Sequence, residues 1–249
     1  MSTLILLRHG ESEWNRDDRF TGWTDVDLTT KGRCQALEAG RCLRQQVFDI
    51  DVAYTSVLKR AIRTLWMVLD EMDRMWIPVY TCWRLNERHY GALQGANKAE
   101  AAARFGSDRV RQWRRGFDVR PPAIDSHDDR YPCRDRRYKY LRPDEIPVGE
   151  SLKDTFSRLW PCWQHEISVA LRQRKNVLVV AHGNTLRALV KHLDEISDLD
   201  IAELEIPMGV PLFYKLDADL FPVEKRYLLT DRPHPPVTQA ASDQLVIQG

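Results

Sequence analysis

The sequence predicts an α/β protein: a three-layer sandwich with a mostly parallel central sheet flanked by helices, plus an insertion over the active site. Three observations predict it. Short β-type runs alternate with helical patterns along the chain, the order that builds a parallel sheet covered by helices. Two runs, residues 3–7 (apolar from Leu4 onward) and 177–181, are continuous apolar stretches, as strands buried on both faces should be. The chain has 249 residues, 43% of them hydrophobic, which is enough to bury a substantial core in one large domain.

Strands are expected over residues 3–7, 52–55, 79–82, 177–181 and 212–216, and helices over 31–46, 57–72, 151–172 and 185–193. In the second helix Leu58, Ala61, Ile62, Leu65, Leu69 and Met72 recur at helical spacing and should face the core. Ser56 is its candidate N-cap. Pro161 falls inside the third helical pattern and should kink it, because its ring removes an amide donor and crowds the preceding turn. Residues 91–149, rich in Arg, Asp, Tyr and Pro, show little periodicity beyond one or two short helices and read as an insertion, or lid, over the sheet edge. One domain is expected over 1–229, followed by a mobile tail at 230–249.

The 37 Lys and Arg nearly balance 36 Asp and Glu, for a net charge of +1. That argues against nucleic acid as the main partner. The balance hides a basic stretch: residues 104–142 carry 12 basic side chains and 6 acidic ones, so the expected partner is small and anionic. No apolar run approaches the roughly 18 residues of a membrane span, and the amino terminus lacks the basic flank of a signal peptide. A soluble, cytoplasmic protein beginning near Met1, without membrane partners, is the expectation. Five scattered cysteines, none spaced C-x-x-C, point to reduced thiols rather than a disulfide framework or a zinc knuckle.

The chemistry-bearing residues lie at strand ends. Residues 3–7 run into Arg8-His9-Gly10-Glu11-Ser12, and residues 177–181 into His182-Gly183-Asn184-Thr185. One strand-ending histidine is usually structural; two equivalent ones, at the carboxyl ends where open α/β sheets bind ligands, point to function. A helix starting near Thr185 would direct free amides toward an anion beside His182. Arg60 falls in the first turn of its helix, where a cation opposes the macrodipole unless an anion is bound nearby. Arg8, Arg114 and Arg115 offer further forked donors suited to phosphate oxygens. In Asn86-Glu87-Arg88-His89-Tyr90-Gly91, Glu87 could act as a general acid/base and Tyr90 could orient a substrate. His9, His182 and Glu87 also have the ligand types of a hydrolytic zinc centre, but there is no H-E-x-x-H helix and the arginines would repel a dication. A G-x-x-x-x-G-K-[ST] loop is absent, so magnesium-nucleotide chemistry has no support. Phosphoryl chemistry would then rest on a protein nucleophile, which a neutral imidazole among guanidinium donors can be.

These motifs carry a resemblance. Arg8 to Asn15, with Phe20-Thr21-Gly22-Trp23, is similar to the signature of the cofactor-dependent phosphoglycerate mutases of the histidine phosphatase superfamily. The similarity continues through 55–61, 86–91, Asn97-Lys98, Trp113-Arg114-Arg115-Gly116, 149–152 and 181–184. It implies that His9 is transiently phosphorylated, that Glu87 moves the substrate hydroxyl proton, and that Arg8, Arg60 and His182 hold the transferring group. Ser12, Asn15, Thr21, Gly22, Gly183 and Asn184 would add neutral donors around the substrate. Arg88, His89, Tyr90, Lys98, Arg114 and Arg115 would bind the remainder of a phosphoglycerate. It implies 2,3-bisphosphoglycerate as phosphoryl donor, no metal, and interconversion of 2- and 3-phosphoglycerate in glycolysis and gluconeogenesis. Met208 and Ala96 depart from the family pattern at positions without an expected catalytic role.

Within the superfamily, a bisphosphoglycerate mutase or a phosphatase for a small phosphate ester is the alternative, although Ser12 in its context resembles the mutases more. A remote alternative uses residues 104–142 to bind nucleic acid. A homodimer or homotetramer is compatible with the residues, which do not decide between them.

Overall fold

A computed structural model describes residues 1–228; residue 229 and the tail expected at 230–249 lie outside the described residues. Among the described residues six strands form one sheet: β1 (Ser2–Arg8), β2 (Val52–Thr55), β3 (Val79–Thr81), β4 (Val177–Ala181), β5 (Leu212–Leu216) and β6 (Pro222–Tyr227). Their order is β3-β2-β4-β1-β5-β6. The first four in that order are mutually parallel, while β5 runs antiparallel to β1 and β6 antiparallel to β5. The sheet is therefore mixed, its parallel part holding the centre. The two apolar runs are the central neighbours β4 and β1, and Leu4, Ile5, Leu6 and Leu7 are all at 0% exposure. Burial of each such side chain contributes roughly 1.5–3 kcal/mol.

Alternate side chains serve two cores. Leu4, Leu6, Val177 and Val179 face α6 (Leu152–Cys162), α7 (Ser168–Arg172) and α8 (Gly183–Leu193). Ile5, Leu7, Leu178 and Val180 face α2 (Thr30–Gln45) and α3 (Lys59–Glu71). A four-residue helix, α1 (Glu13–Arg16), follows the first strand. Within 91–149, α4 (Lys98–Phe105) and α5 (Ser107–Arg115) pack a small third core around Phe20, Leu93, Val110 and Trp113. The rest of that segment is loop and short 3₁₀ turns.

Several local expectations change. The strand β6 was not expected from Pro-Val-Glu-Lys-Arg-Tyr, which is charged and mostly exposed because it forms the sheet edge. The second expected helix begins at Lys59, with Leu58 rather than Ser56 at the N-cap. Its first free amide, that of Lys59, donates to the Asp25 carboxylate at 2.7 Å, so a residue distant in sequence supplies the cap. The fourth expected helix begins two residues early, at Gly183, with His182 as N-cap. At Pro161 the chain stays helical, but a π-turn (Trp163–Ile167) follows directly. A widened turn accommodates the missing amide that a regular α-helix could not.

Candidate functional site

The ladder between β1 and β4 pairs Arg8 with Ala181, and His9 continues it, donating its N–H to the Ala181 carbonyl at 3.0 Å. His9 and His182 therefore leave adjacent parallel strands side by side, with ring centroids 5.0 Å apart at 63°. His9 Nδ1 is 2.7 Å from the Gly10 carbonyl oxygen. A carbonyl can only accept, so Nδ1 carries the proton and Nε2 presents its lone pair. Burial, then Arg60 and Arg8, hold the His9 ring well below the usual histidine range; it is a neutral base at pH 7. His182, fully buried, is pushed down by burial, then by Arg60 and the facing His9. Its Nε2 is 2.7 Å from Ser56 Oγ, and its Nδ1 has no partner among the described residues.

Arg60 is 1% exposed. Its Nε donates to His9 Nε2 at 3.3 Å, and its two terminal nitrogens donate at 2.8 Å to the carbonyls of Thr24 and Gly22. Burial lowers it to about 10, which leaves it charged at neutral pH. Gly22 presents its carbonyl at φ +54°, where a Cβ would lie 2.1 Å from Gln94 Oε1, so only glycine serves there. Arg8 Nη1 donates to the Ile206 carbonyl at 2.8 Å, while its Nε has no partner among the described residues.

Glu87 is 8% exposed, and its Oε1 accepts from the Arg88 amide at 2.8 Å and the Asn184 amide at 3.1 Å. The latter places the carboxylate at the positive end of α8. Tyr90 Oη accepts from Asn184 Nδ2 and Arg88 Nη2, each at 3.1 Å.

Part of this constellation lines a cavity of about 130 Å³, whose wall does not include His9, Arg60 or His182. Arg8, Glu87, Gly183 and Asn184 line it together with Asn15, Thr21 and Gly22. Tyr90, Lys98, Arg114 and Arg115 complete its wall, joined by Arg19, Glu205 and Arg187, which the sequence reading did not single out. A larger cavity, about 670 Å³ and walled by Phe156, Trp160 and Trp163, contains none of the expected site residues.

Other expected residues stand behind this wall. Ser12, fully buried, caps α1 and bonds Asn15, so it aims the asparagine rather than lining the cavity. Arg88 is fully buried and donates to the Arg114 carbonyl at 2.7 Å. His89 does not line the cavity: its ring packs edge-on against Trp23, its Nδ1 accepts from the Gly91 amide, and burial pushes it down to about 3. It supports the loop from within. Of the basic residues in 104–142, only Arg114 and Arg115 reach the wall. Arg111, Arg120, Arg130, Arg134, Arg137 and Arg142 are paired with carboxylates, so the local positive excess is spread over ion pairs instead of converging on one pocket.

Arg187 has the strongest missed role in positioning. It is 4% exposed and lowered by burial to about 10. It donates to Asn184 Oδ1 at 2.9 Å and to the carbonyls of Arg115 at 2.9 Å and Ile201 at 2.6 Å. Its only sequence signal was helical spacing, three residues after Asn184. Arg158 similarly gathers Glu150 with the carbonyls of Arg84, Asn86 and Glu87, fixing the loop that carries Glu87.

Chemically, the arrangement offers an unprotonated imidazole nitrogen, fixed cationic donors beside it, and a carboxylate on the wall of the cavity that Arg8 also lines. The family model of the histidine phosphatase superfamily (branch 1) matches residues 4–210. The structure of mycobacterial hydrolase 1 is similar at a TM-score of 0.68 and 22% identity, covering 94% of this chain and 99% of that one. The mycobacterial glucosyl-3-phosphoglycerate phosphatase in complex with VO3 is similar at 0.66 and 23%, covering 86% and 93%. The α-ribazole phosphatase of Shigella flexneri is similar at 0.64 and 21%, covering 92% and 94%. At these identities the likeness establishes the fold.

Proposed function

Since the chain belongs to the histidine phosphatase superfamily, branch 1, we propose that it is a phosphoglycerate mutase primed by 2,3-bisphosphoglycerate. The observation that carries the reading is the lone pair of His9 Nε2, met by Arg60 Nε at 3.3 Å, next in the chain to Arg8 of a cavity whose wall also carries Lys98, Arg114 and Arg115. Such a wall suits a substrate with a second anionic group besides the transferring phosphate.

In this reading His9 Nε2 attacks the phosphorus of the bisphosphate, and the bond from phosphorus to the leaving oxygen breaks. Glu87 supplies the proton to that oxygen. In the second half, the free hydroxyl of a bound monophosphoglycerate gives its proton to Glu87 and takes the phosphoryl group from His9; the bisphosphate so formed turns in the site and returns its other phosphoryl group to His9, Glu87 protonating the oxygen released, which leaves the isomer. Arg8 and Arg60 neutralise charge spread over the equatorial oxygens and neutral His182 offers a ring N–H, where fixed donors provide most of the catalysis. No step calls for a metal, and activity should survive chelation. Tyr90, Asn184, Lys98, Arg114 and Arg115 hold the carboxylate and second phosphate.

Mutase action requires that water be kept from the phosphohistidine. The Arg137 guanidinium supports this, because it ties the 91–149 segment to the Asp25 carboxylate and the Val57 carbonyl beside Arg60. A phosphatase acting on a small phosphate ester is the second reading, favoured by the names of the similar structures. An assay of chelator-treated enzyme with 3-phosphoglycerate separates the two. Formation of 2-phosphoglycerate that depends on added bisphosphate supports the mutase, whereas release of inorganic phosphate without isomerisation replaces it with the phosphatase. Among the described residues no helix is long and apolar enough to cross a membrane.

A further inference from the structure

Two of the five cysteines meet at a place the proposed chemistry does not use. Cys82 follows β3, its amide bonded to the Thr55 carbonyl at 2.8 Å, and opens the segment leading to Glu87. Cys162 closes α6 and is 1% exposed. Glu166 lies one turn further on, within the π-turn, at the surface. Both sulfurs and a Glu166 carboxylate oxygen lie within 4.8 Å of one another. The fold thus assembles a ligand set that no spacing in the sequence announces.

A tetrahedral cation with sulfur at about 2.3 Å and oxygen at about 2.1 Å holds its ligands about 3.5–3.8 Å apart. The three atoms need to close by about an ångström, which side-chain rotation supplies. The nearby Arg84 guanidinium is occupied by Glu145 at 2.8 Å. Two sulfurs and one carboxylate favour zinc-like ions over magnesium or calcium, which take oxygen ligands.

We propose that Cys82, Cys162 and Glu166 bind one thiophilic divalent cation of the zinc class, with water as the fourth ligand. The ion displaces the two thiol protons to solvent and cross-links the end of β3 to α6. That is the helix whose Arg158 already holds the carbonyls of Arg84, Asn86 and Glu87.

The test is titration of the reduced full-length chain with Co(II). One equivalent should bind with a thiolate-to-metal charge-transfer absorption that Zn(II) bleaches, and Zn(II) should raise the unfolding temperature. Cys82→Ser and Cys162→Ser should each abolish the band, the double variant Cys34→Ser/Cys133→Ser should keep it, and Glu166→Gln should weaken binding at least tenfold. If Cys162→Ser fails to fold, the half-buried Cys82 decides the matter alone. The proposal is overturned if no thiolate band forms, if the band survives Cys82→Ser, or if it disappears in the Cys34/Cys133 variant.

Discussion

Arg60 Nε donates to His9 Nε2 at 3.3 Å, while Nδ1 of the same ring faces the Gly10 carbonyl at 2.7 Å. The ring is thereby held in one tautomer by a backbone acceptor, with a buried cation at the nitrogen that would receive a phosphoryl group. Arg60 spends all three of its nitrogens on fixed partners. Arg60→Lys, which offers a compact charge in place of a fork, should therefore lower the rate of His9 phosphorylation by about 10²–10³-fold. Rapid-quench labelling with bisphosphate measures it, and His9→Ala should take up no label.

Glu87→Gln keeps an oxygen to accept from the Arg88 and Asn184 amides but cannot exchange a proton. Its kcat should fall by about 10²–10⁴-fold with an unchanged unfolding midpoint. A loss of stability of the same variant would instead assign Glu87 a structural task.

Arg187→Ala frees the Asn184 side chain and leaves the Arg115 and Ile201 carbonyls without their donor. Removal of such a buried partner costs about 1–3 kcal/mol for each orphaned group. KM for 3-phosphoglycerate should rise more than kcat falls, because Asn184 and Arg115 lie on the cavity wall. Steady-state kinetics with Arg187→Lys, expected to recover part of KM, distinguishes positioning from general destabilisation.

His9, His182 and His89 are buried neutral, all below the ordinary histidine value. Below pH 6.5 the unfolded chain binds protons at these rings that the folded chain does not, so stability falls as pH drops through that value. Between pH 7.5 and 5.5 His89, pushed down to about 3, should cost about 1 kcal/mol, and His9 and His182 add to the loss in the same direction. Urea unfolding at the two pH values measures it. His89→Asn, which can still accept from Gly91, should reduce the loss by about 1 kcal/mol.

Asp25 caps α3 through the Lys59 amide and also binds Arg137 of the insertion. Asp25→Ala should cost about 1 kcal/mol through the cap. By loosening the insertion, it should raise the ratio of phosphate release to isomerisation at least severalfold. An unchanged ratio would mean that the Arg137 tether does not keep water from His9.

What could be read in the residues follows physical range. The central strands were legible because burial on both faces writes itself into consecutive apolar residues, and His9 and His182 were legible because each follows such a strand. Arg60 stood out because its charge opposes a local dipole. The cap on α3 was not legible, since Asp25 reaches Lys59 only through the fold. Arg187 and Arg158 were hidden for the same reason: they bind backbone carbonyls from distant segments, and a carbonyl has no signature in sequence. β6 escaped notice because an exposed edge strand need not be apolar. The basic excess of 104–142 was visible, but its pairing with acids was not.

The Arg8–Ala181 register has a further consequence. A shift of one residue along either central strand would turn its whole side-chain set to the opposite face and carry one imidazole away from the other. The interlocked leucines and valines of the two hydrophobic layers forbid that shift. The alignment of the reactive nitrogen with its neighbour is thus guarded by greasy side chains that never meet a substrate, and mutations deep in the interior should register first as errors of aim.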